Sequence, residues 1–151
     1  MCDCCDNLGR SDWNELLATL ISGGTDVAVG SWNIYQYNGG SSSIDRSAGI
    51  TQIVGGCVTV VGALGKFLAK GYKKIECWAH WAAALGSVVA LSGGALDAEK
   101  YANGGNDVDI VQAIITIVST GATILTKTGM AIWACRSECK DGNVDPTPLN
   151  P

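Results

Sequence analysis

Apolar residues fall into four long blocks separated by short polar stretches. The blocks lie at 13–37, 48–69, 76–96 and 108–135. Each has the roughly 20 residues that a helix needs to cross about 30 Å of hydrocarbon. The breaks after the first and third blocks are rich in Gly, Asn, Asp and Ser, which end helices and form turns. The pattern therefore predicts four consecutive helices.

Within each block the polar and small residues return at spacings of three, four or seven, which places them on one helical face. In the first block this face holds Glu15, Thr19, Ser22, Asp26 and Asn33. The rest of each later block is almost wholly apolar, whereas a soluble bundle needs a narrow apolar stripe and a broad charged face. We therefore expect an all-α, four-helix transmembrane bundle of two antiparallel helical hairpins, with both termini on one side.

Composition supports a lipid environment. Of the 151 residues, 47% are hydrophobic and only 16% are charged, against about 25% charged in an ordinary soluble domain. The net charge of −4 and the apolar content exclude a disordered chain and a basic nucleic-acid binder. The expected partners are membrane lipid and other membrane protein subunits or copies of the chain itself, with no nucleic acid.

The positive charges predict an orientation. They collect after the second block and at the end of the fourth, at Lys66, Lys70, Lys73, Lys74, Lys127, Arg136 and Lys140. Cytoplasmic loops carry the excess of Lys and Arg, so both termini are expected in the cytoplasm. The organisation is then a Cys-rich cytoplasmic segment at 1–12, a membrane domain at 13–135 and a polar tail at 136–151.

One face of the third block carries small residues at four-residue intervals: Ala82, Gly86, Ala90 and Gly94. This pattern lets helix backbones approach closely in a membrane, where packing drives association. We expect it to form the tightest helix contact, either within the bundle or between subunits.

Ionisable residues inside the blocks are candidate functional groups, because charges in a bilayer are costly. Near the cytoplasmic ends, two acids and two lysines are expected to form an ion-pair cluster with the only histidine; the alternative is that each lysine reaches the headgroups separately. The members are Glu15, Lys66, Glu76, His80 and Lys127. Asp26 lies near the middle of its block, where an unpaired carboxylate is a functional hypothesis if that block spans the membrane.

The seven cysteines allow several interpretations. Cys57 and Cys77 are expected at different depths and are interpreted as small buried apolar residues. The others, Cys2, Cys4, Cys5, Cys135 and Cys139, all lie at the cytoplasmic ends and are candidates for acylation with palmitate or for disulfides. A metal site built from Cys2, Cys5, Cys135 and Cys139 is a further alternative, although nothing links the two pairs in sequence.

No catalytic motif, phosphate-binding loop or nucleotide fingerprint is present, so we expect a non-catalytic protein without cofactor or metal. The first interpretation is a structural or accessory subunit of a membrane assembly. A second is an oligomeric channel or transporter whose path is lined by Asp26 and by Gln52, Thr59, Gln112, Thr116 and Thr123. A third is a self-assembling coat or filament protein.

Overall fold

The computed structural model describes residues 10–40, 43–68 and 73–141, and these form four α-helices. The helices are α1 (Arg10–Asn38), α2 (Ser43–Leu68), α3 (Lys73–Ala102) and α4 (Asp107–Asp141). Short connections make neighbours antiparallel. Helix α2 packs between α1 and α3, α3 packs between α2 and α4, and α1 touches α4 over a shorter stretch. The all-α, four-helix prediction is confirmed.

The bundle has two ends, which we name by the chain segments that they carry. The loop end holds the α1–α2 and α3–α4 connections, and the terminal end holds the start of α1 and the end of α4. Both loop-end connections begin with Asn-Gly-Gly, and Gly40 and Gly104 adopt positive φ angles of 96° and 95°. Only glycine enters this backbone region at little cost, so these residues end α1 and α3.

Helix α2 approaches both neighbours through glycines. A Cβ on Gly30 of α1 would lie 2.7 Å from the carbonyl oxygen of Gly49, and one on Gly62 would lie 2.8 Å from that of Ala79. Both distances are shorter than carbon and oxygen tolerate. Backbones at this separation are typical of membrane helix pairs, in which small residues replace side-chain interdigitation.

The small residues of α3 do not all share one partner. Gly86 and Ala90 face α2, where a Cβ on Gly86 would lie 2.7 Å from the carbonyl oxygen of Gly55, but Gly94 faces Thr116 of α4. Ala82 is only partly buried. A four-residue step advances the side chain by about 40° around a helix of 3.6 residues per turn. The four small residues therefore lie on a line that winds around α3, from the side of α2 to the side of α4. The residues of α3 that contact α2 are instead spaced by three and four in alternation.

Burial in this bundle is the reverse of that in a soluble protein. The buried apolar residues of the described core are all alanines, whereas its largest fully buried side chains are all polar, among them Gln52, Asn33 and Thr59. Large apolar side chains face outward on all four helices, with Ile21, Leu125 and Trp133 each more than two-thirds exposed. Monomeric soluble proteins rarely expose continuous apolar surface of this extent.

Three helices are long and apolar enough to cross a membrane. They are α2 over Ser43–Leu68, α3 over Ile75–Ala102 and α4 over Asp107–Arg136. Helix α1, with 29 residues, has the length but a less apolar composition. Its exposed face nevertheless carries Trp13, Leu17, Ile21 and Trp32.

The helices extend further than the apolar blocks at the loop end. Helix α2 begins at Ser43 rather than at 48, and α3 continues to Ala102 rather than ending at 96. The added turns carry Asp45, Asp97 and Lys100, which resemble loop residues in the sequence but have partners inside the bundle. These segments are polar because their side chains belong to the polar interior of the bundle, not because the helices end there.

Candidate functional site

The interior of the bundle contains a column of polar side chains that runs from one end to the other. From the loop end to the terminal end, the column consists of two clusters, a single acid and a third cluster. Because the surrounding exterior is apolar, this interior is the candidate functional site.

The Lys100 cluster lies at the loop end. The ammonium group of Lys100 donates to Asp45 at 2.6 Å and to Asp109 at 3.0 Å, and both aspartates are fully buried. The other carboxylate oxygen of Asp109 accepts a hydrogen bond from the backbone N–H of Asn106 at 2.8 Å. This contact is half of a capping box, which satisfies an open donor at the start of α4.

The amide–carboxylate cluster comes next and joins three helices. Asn33 of α1 donates to Asp97 of α3 at 2.9 Å and to the side-chain oxygen of Gln52 of α2 at 3.0 Å. Gln52 donates to the same carboxylate at 2.7 Å. All three residues are fully buried. Amide donors thus satisfy the Asp97 carboxylate without a bonded cationic side chain in the described part of the chain.

Asp26 occupies the middle of the column. Its side chain is fully buried, and neither carboxylate oxygen has a hydrogen-bond partner among the described residues. It lies against Gly56, where an added Cβ would be 3.1 Å from the Cβ of Asp26. One turn closer to the terminal end, Thr123 of α4 donates to the hydroxyl of Ser22 at 2.9 Å and ties α4 to α1.

The Glu15 cluster closes the column at the terminal end. The Glu15 carboxylate accepts from Lys66 and, at 2.5 Å, from Lys127, while Nδ1 of His80 lies 3.9 Å from it. Lys127 is buried, and Lys66 is partly exposed. Glu76 lines the same partly open cavity. The structure therefore brings all five residues of the expected cluster to one place, with Glu15 at its centre.

The candidate path-lining residues lie inside a single copy of the bundle rather than on its exterior. Gln52, Thr59 and Thr116 are fully buried, and Gln112 and Thr123 are nearly so. Thr59 donates to the carbonyl oxygen of Gly55 at 3.0 Å, so its hydroxyl is satisfied within its own helix. The Thr116 hydroxyl and the Gln112 side-chain oxygen have no partner among the described residues.

The cysteine interpretation needs correction. Cys77 at the start of α3 and Cys135 near the end of α4 form a disulfide, with Cα atoms 5.3 Å apart. Cys77 is therefore not a free buried thiol, and Cys135 has no thiol available for acylation or for a metal. The interpretation of Cys57 as buried is also wrong, because it is exposed on α2. Cys2, Cys4 and Cys5 lie outside the described residues, as does the Cys139 side chain.

Sequence reasoning misses the loop-end acids and Lys100: it assigns Asp45, Asp97 and Lys100 to polar breaks and gives Asp109 no role at the start of the fourth block. The helical spacing of the polar residues could have identified the three acids. Asp109 precedes Gln112 by three residues, Asp45 precedes Gln52 by seven, and Asp97 follows Ser87 by ten. Each extends the buried face of its helix by one or more turns.

Comparisons with protein-family models, with curated proteins and with solved structures find no match to this chain. The chemistry of the site must therefore be read from its own residues. No group of three or more His, Cys, Asp or Glu that could hold a metal ion occurs in the described ranges. The column offers hydroxyls, amides and carboxyl groups, which exchange protons and hydrogen bonds with small polar species.

Proposed function

We propose that this chain is a non-catalytic integral membrane protein that serves as a structural or accessory subunit of a membrane assembly. The observation that carries this proposal is the reversed burial, with Asp26, Asn33 and Gln52 inside and large apolar side chains outside. In water such a surface is unfavourable by about 25 cal/mol for each Å² of apolar area. Lipid or neighbouring apolar subunits remove this cost.

The aromatic residues agree with a bilayer. Trp78 and Trp133 are exposed at the terminal end, while Tyr35 and Tyr101 are exposed towards the loop end. Amphipathic rings concentrate at the two membrane–water interfaces. The exterior of the bundle thus has the apolar middle and aromatic ends of a membrane domain.

Native purification tests this proposal. The chain is expected to require detergent or lipid to leave the membrane fraction and to co-migrate with a larger membrane complex in mild detergent. Large regular particles that form without detergent would instead support a self-assembling coat or filament protein. A protein that stays soluble and monomeric without detergent would contradict the proposal.

A second candidate function, a channel or transporter, is favoured by the polar column. Buried oxygens of Asp26, Gln112 and Thr116 have no partner in the described part of the chain. Unpaired polar groups of this kind are costly, and in a membrane domain they mark ion or proton pathways. The path in this proposal runs through each bundle rather than between copies. Flux into reconstituted liposomes tests it: Asp26→Asn should change conductance or ion dependence, and unchanged flux would remove this candidate.

For orientation we propose that the terminal end, with its excess of lysines, faces the cytoplasm. The Cys77–Cys135 disulfide lies at this end, although cytosolic reductants keep most thiols reduced. Cys77 and Cys135 lie within two residues of the ends of the candidate spans Ile75–Ala102 and Asp107–Arg136, so the disulfide is expected near the membrane surface. The lysine excess favours the cytoplasmic side for this end, whereas the disulfide favours the oxidising side; the proposed orientation follows the lysines, and labelling of intact membranes tests it.

A further inference from the structure

Asp26 differs from every other buried acid of the described chain in its surroundings. Asp45 and Asp109 bond to Lys100, and Asp97 accepts from the two amides. Asp26 has the same complete burial but no hydrogen bond to either oxygen from the described residues. An ionised carboxylate held this way costs several kcal/mol, because it loses its hydration without compensation.

Helix α4 also carries a buried hydroxyl, that of Thr116, without a hydrogen-bond partner among the described residues. Ser22 of α1 contacts Thr123 and, at 3.4 Å, the Ser119 carbonyl oxygen, which sets the register of this antiparallel pair. From this contact Asp26 lies one turn further along α1, and Thr116 lies three residues before Ser119 and seven before Thr123 on α4, so both residues are on the loop-end side of the contact. The hydroxyls of Thr120 and Thr123 bond to backbone carbonyls one turn earlier, whereas that of Thr116 has no partner among the described residues.

Among the described residues, no hydrogen bond or ion pair joins an ionisable side chain to Asp26. Gly56 lies against it from α2, and the buried polar residues of α4 between Gln112 and Thr123 are all uncharged. The buried or partly buried ionisable groups of the packed helices lie nearer their ends: Asp45 and Lys66 on α2, Glu76, His80, Asp97 and Lys100 on α3, and Asp109 and Lys127 on α4. The charge of Asp26 therefore has to be removed by a bound ligand rather than by a side chain.

We propose that Asp26 is a proton-binding site in the interior of the bundle, and that its protonated form takes up a hydrogen bond with the Thr116 hydroxyl, since neither group has a partner among the described residues. Proton uptake from water converts the carboxylate to a neutral acid, whose O–H donates while the remaining oxygen accepts. A metal ion fits less well, because one carboxylate and one hydroxyl supply fewer oxygens than the six to eight that Ca²⁺ takes.

Proton binding at Asp26 does not depend on the channel or transporter function. A role of this site in transport does rest on that second candidate function. Polar side chains lie towards both ends of the bundle from Asp26: the hydroxyls of Ser22 and Thr123 on the side of the Glu15 cluster, and Asn33 on the side of Asp97. Transport would need water to connect these groups to Asp26, because no hydrogen bond among the described residues does so.

Infrared spectroscopy of the full-length protein in lipid bilayers tests the proposal. The C=O stretch of a protonated carboxylic acid is separate from that of a carboxylate and shifts on exchange into D₂O. We expect one such band at neutral pH, lost in Asp26→Asn and retained in Asp107→Asn, which changes an exposed acid of α4. Thr116→Val should shift the band without removing it, because the acid keeps its proton but loses a hydrogen-bond partner.

Several outcomes would overturn the proposal. One is a wild-type spectrum without a band that Asp26→Asn removes; another is a band lost in Asp97→Asn instead. Loss of the band in NaCl but not in choline chloride would assign the site to an alkali cation rather than to a proton. If the band is present but liposomes carry no flux, the second candidate function fails while proton binding at Asp26 stands.

Discussion

Glu15 on α1 and Lys127 on α4 are 112 residues apart in the chain, yet their side chains bond at 2.5 Å. The carboxylate also holds Lys66 of α2, so one acid joins three helices at the terminal end. This acid neutralises a lysine that is almost completely buried.

Replacing the central acid should cost more than replacing one of its lysines. In Glu15→Gln, Lys127 keeps its charge without a carboxylate, and we expect a loss of about 2–3 kcal/mol, less than for a fully buried pair because the site is partly open. Lys127→Met should cost less, since Lys66 still neutralises Glu15. Unfolding by SDS titration from detergent micelles measures both.

The matched control for this comparison is Glu99→Gln, which removes an exposed acid from α3. It should change stability by no more than about 0.5 kcal/mol. Equal losses for Glu15→Gln and Lys127→Met would contradict a central role for Glu15.

Two adjacent glycines of α1 should respond oppositely to the same change. In Gly23→Ala the new Cβ would lie 2.8 Å from Val60 and 2.9 Å from the carbonyl oxygen of Gly56, so α1 must move away from α2. A loss of about 1–3 kcal/mol is expected from such overpacking. In Gly24→Ala the Cβ meets nothing within 4 Å, and the better helix former should add about 0.5–1 kcal/mol.

The same SDS titration gives the sign of each effect on the free energy of unfolding. Opposite signs at neighbouring positions would establish that α1 packs on α2 through the face that contains Gly23. Equal effects would show that this face is not in contact.

The disulfide should contribute measurable stability. Cys77→Ser and Cys135→Ser each remove a cross-link between residues 58 positions apart, with an expected loss of about 2–4 kcal/mol. The double variant should lose no more than either single one, because both remove the same bond. Cys57→Ser is the control. Detection of free thiols at both Cys77 and Cys135 in protein alkylated before lysis would contradict the pairing.

Orientation is testable in intact membranes with an amine reagent that cannot cross them. Helix α2 ends and α3 begins at the terminal end, where the sequence has Lys70 before α3 and Lys73 and Lys74 in its first turn. With this end in the cytoplasm, they should be modified only after the membrane is opened. Modification from outside would reverse the proposed topology and place the disulfide on the non-reducing side.

Much of the candidate site follows from periodicity. Polar residues at helical spacing on α1 and on α4 predicted one polar face on each helix, and both faces point into the bundle. The members are Glu15, Ser22 and Asp26 on α1 and Thr116, Thr123 and Lys127 on α4. The pairing of Cys77 with Cys135 does not follow from sequence. It depends on α3 and α4 being neighbours with these two positions at the same height, which is a tertiary property.

The sequence by itself determined that the chain forms four helices and which face of each is polar, because helical spacing and block length are local properties. Only the tertiary structure decided which polar groups meet. It gave Asp97 two amide donors, gave Lys100 two carboxylates and left Asp26 without a partner among the described residues. These outcomes depend on the register and close approach of helices far apart in the chain, which glycine contacts such as Gly30 with Gly49 set.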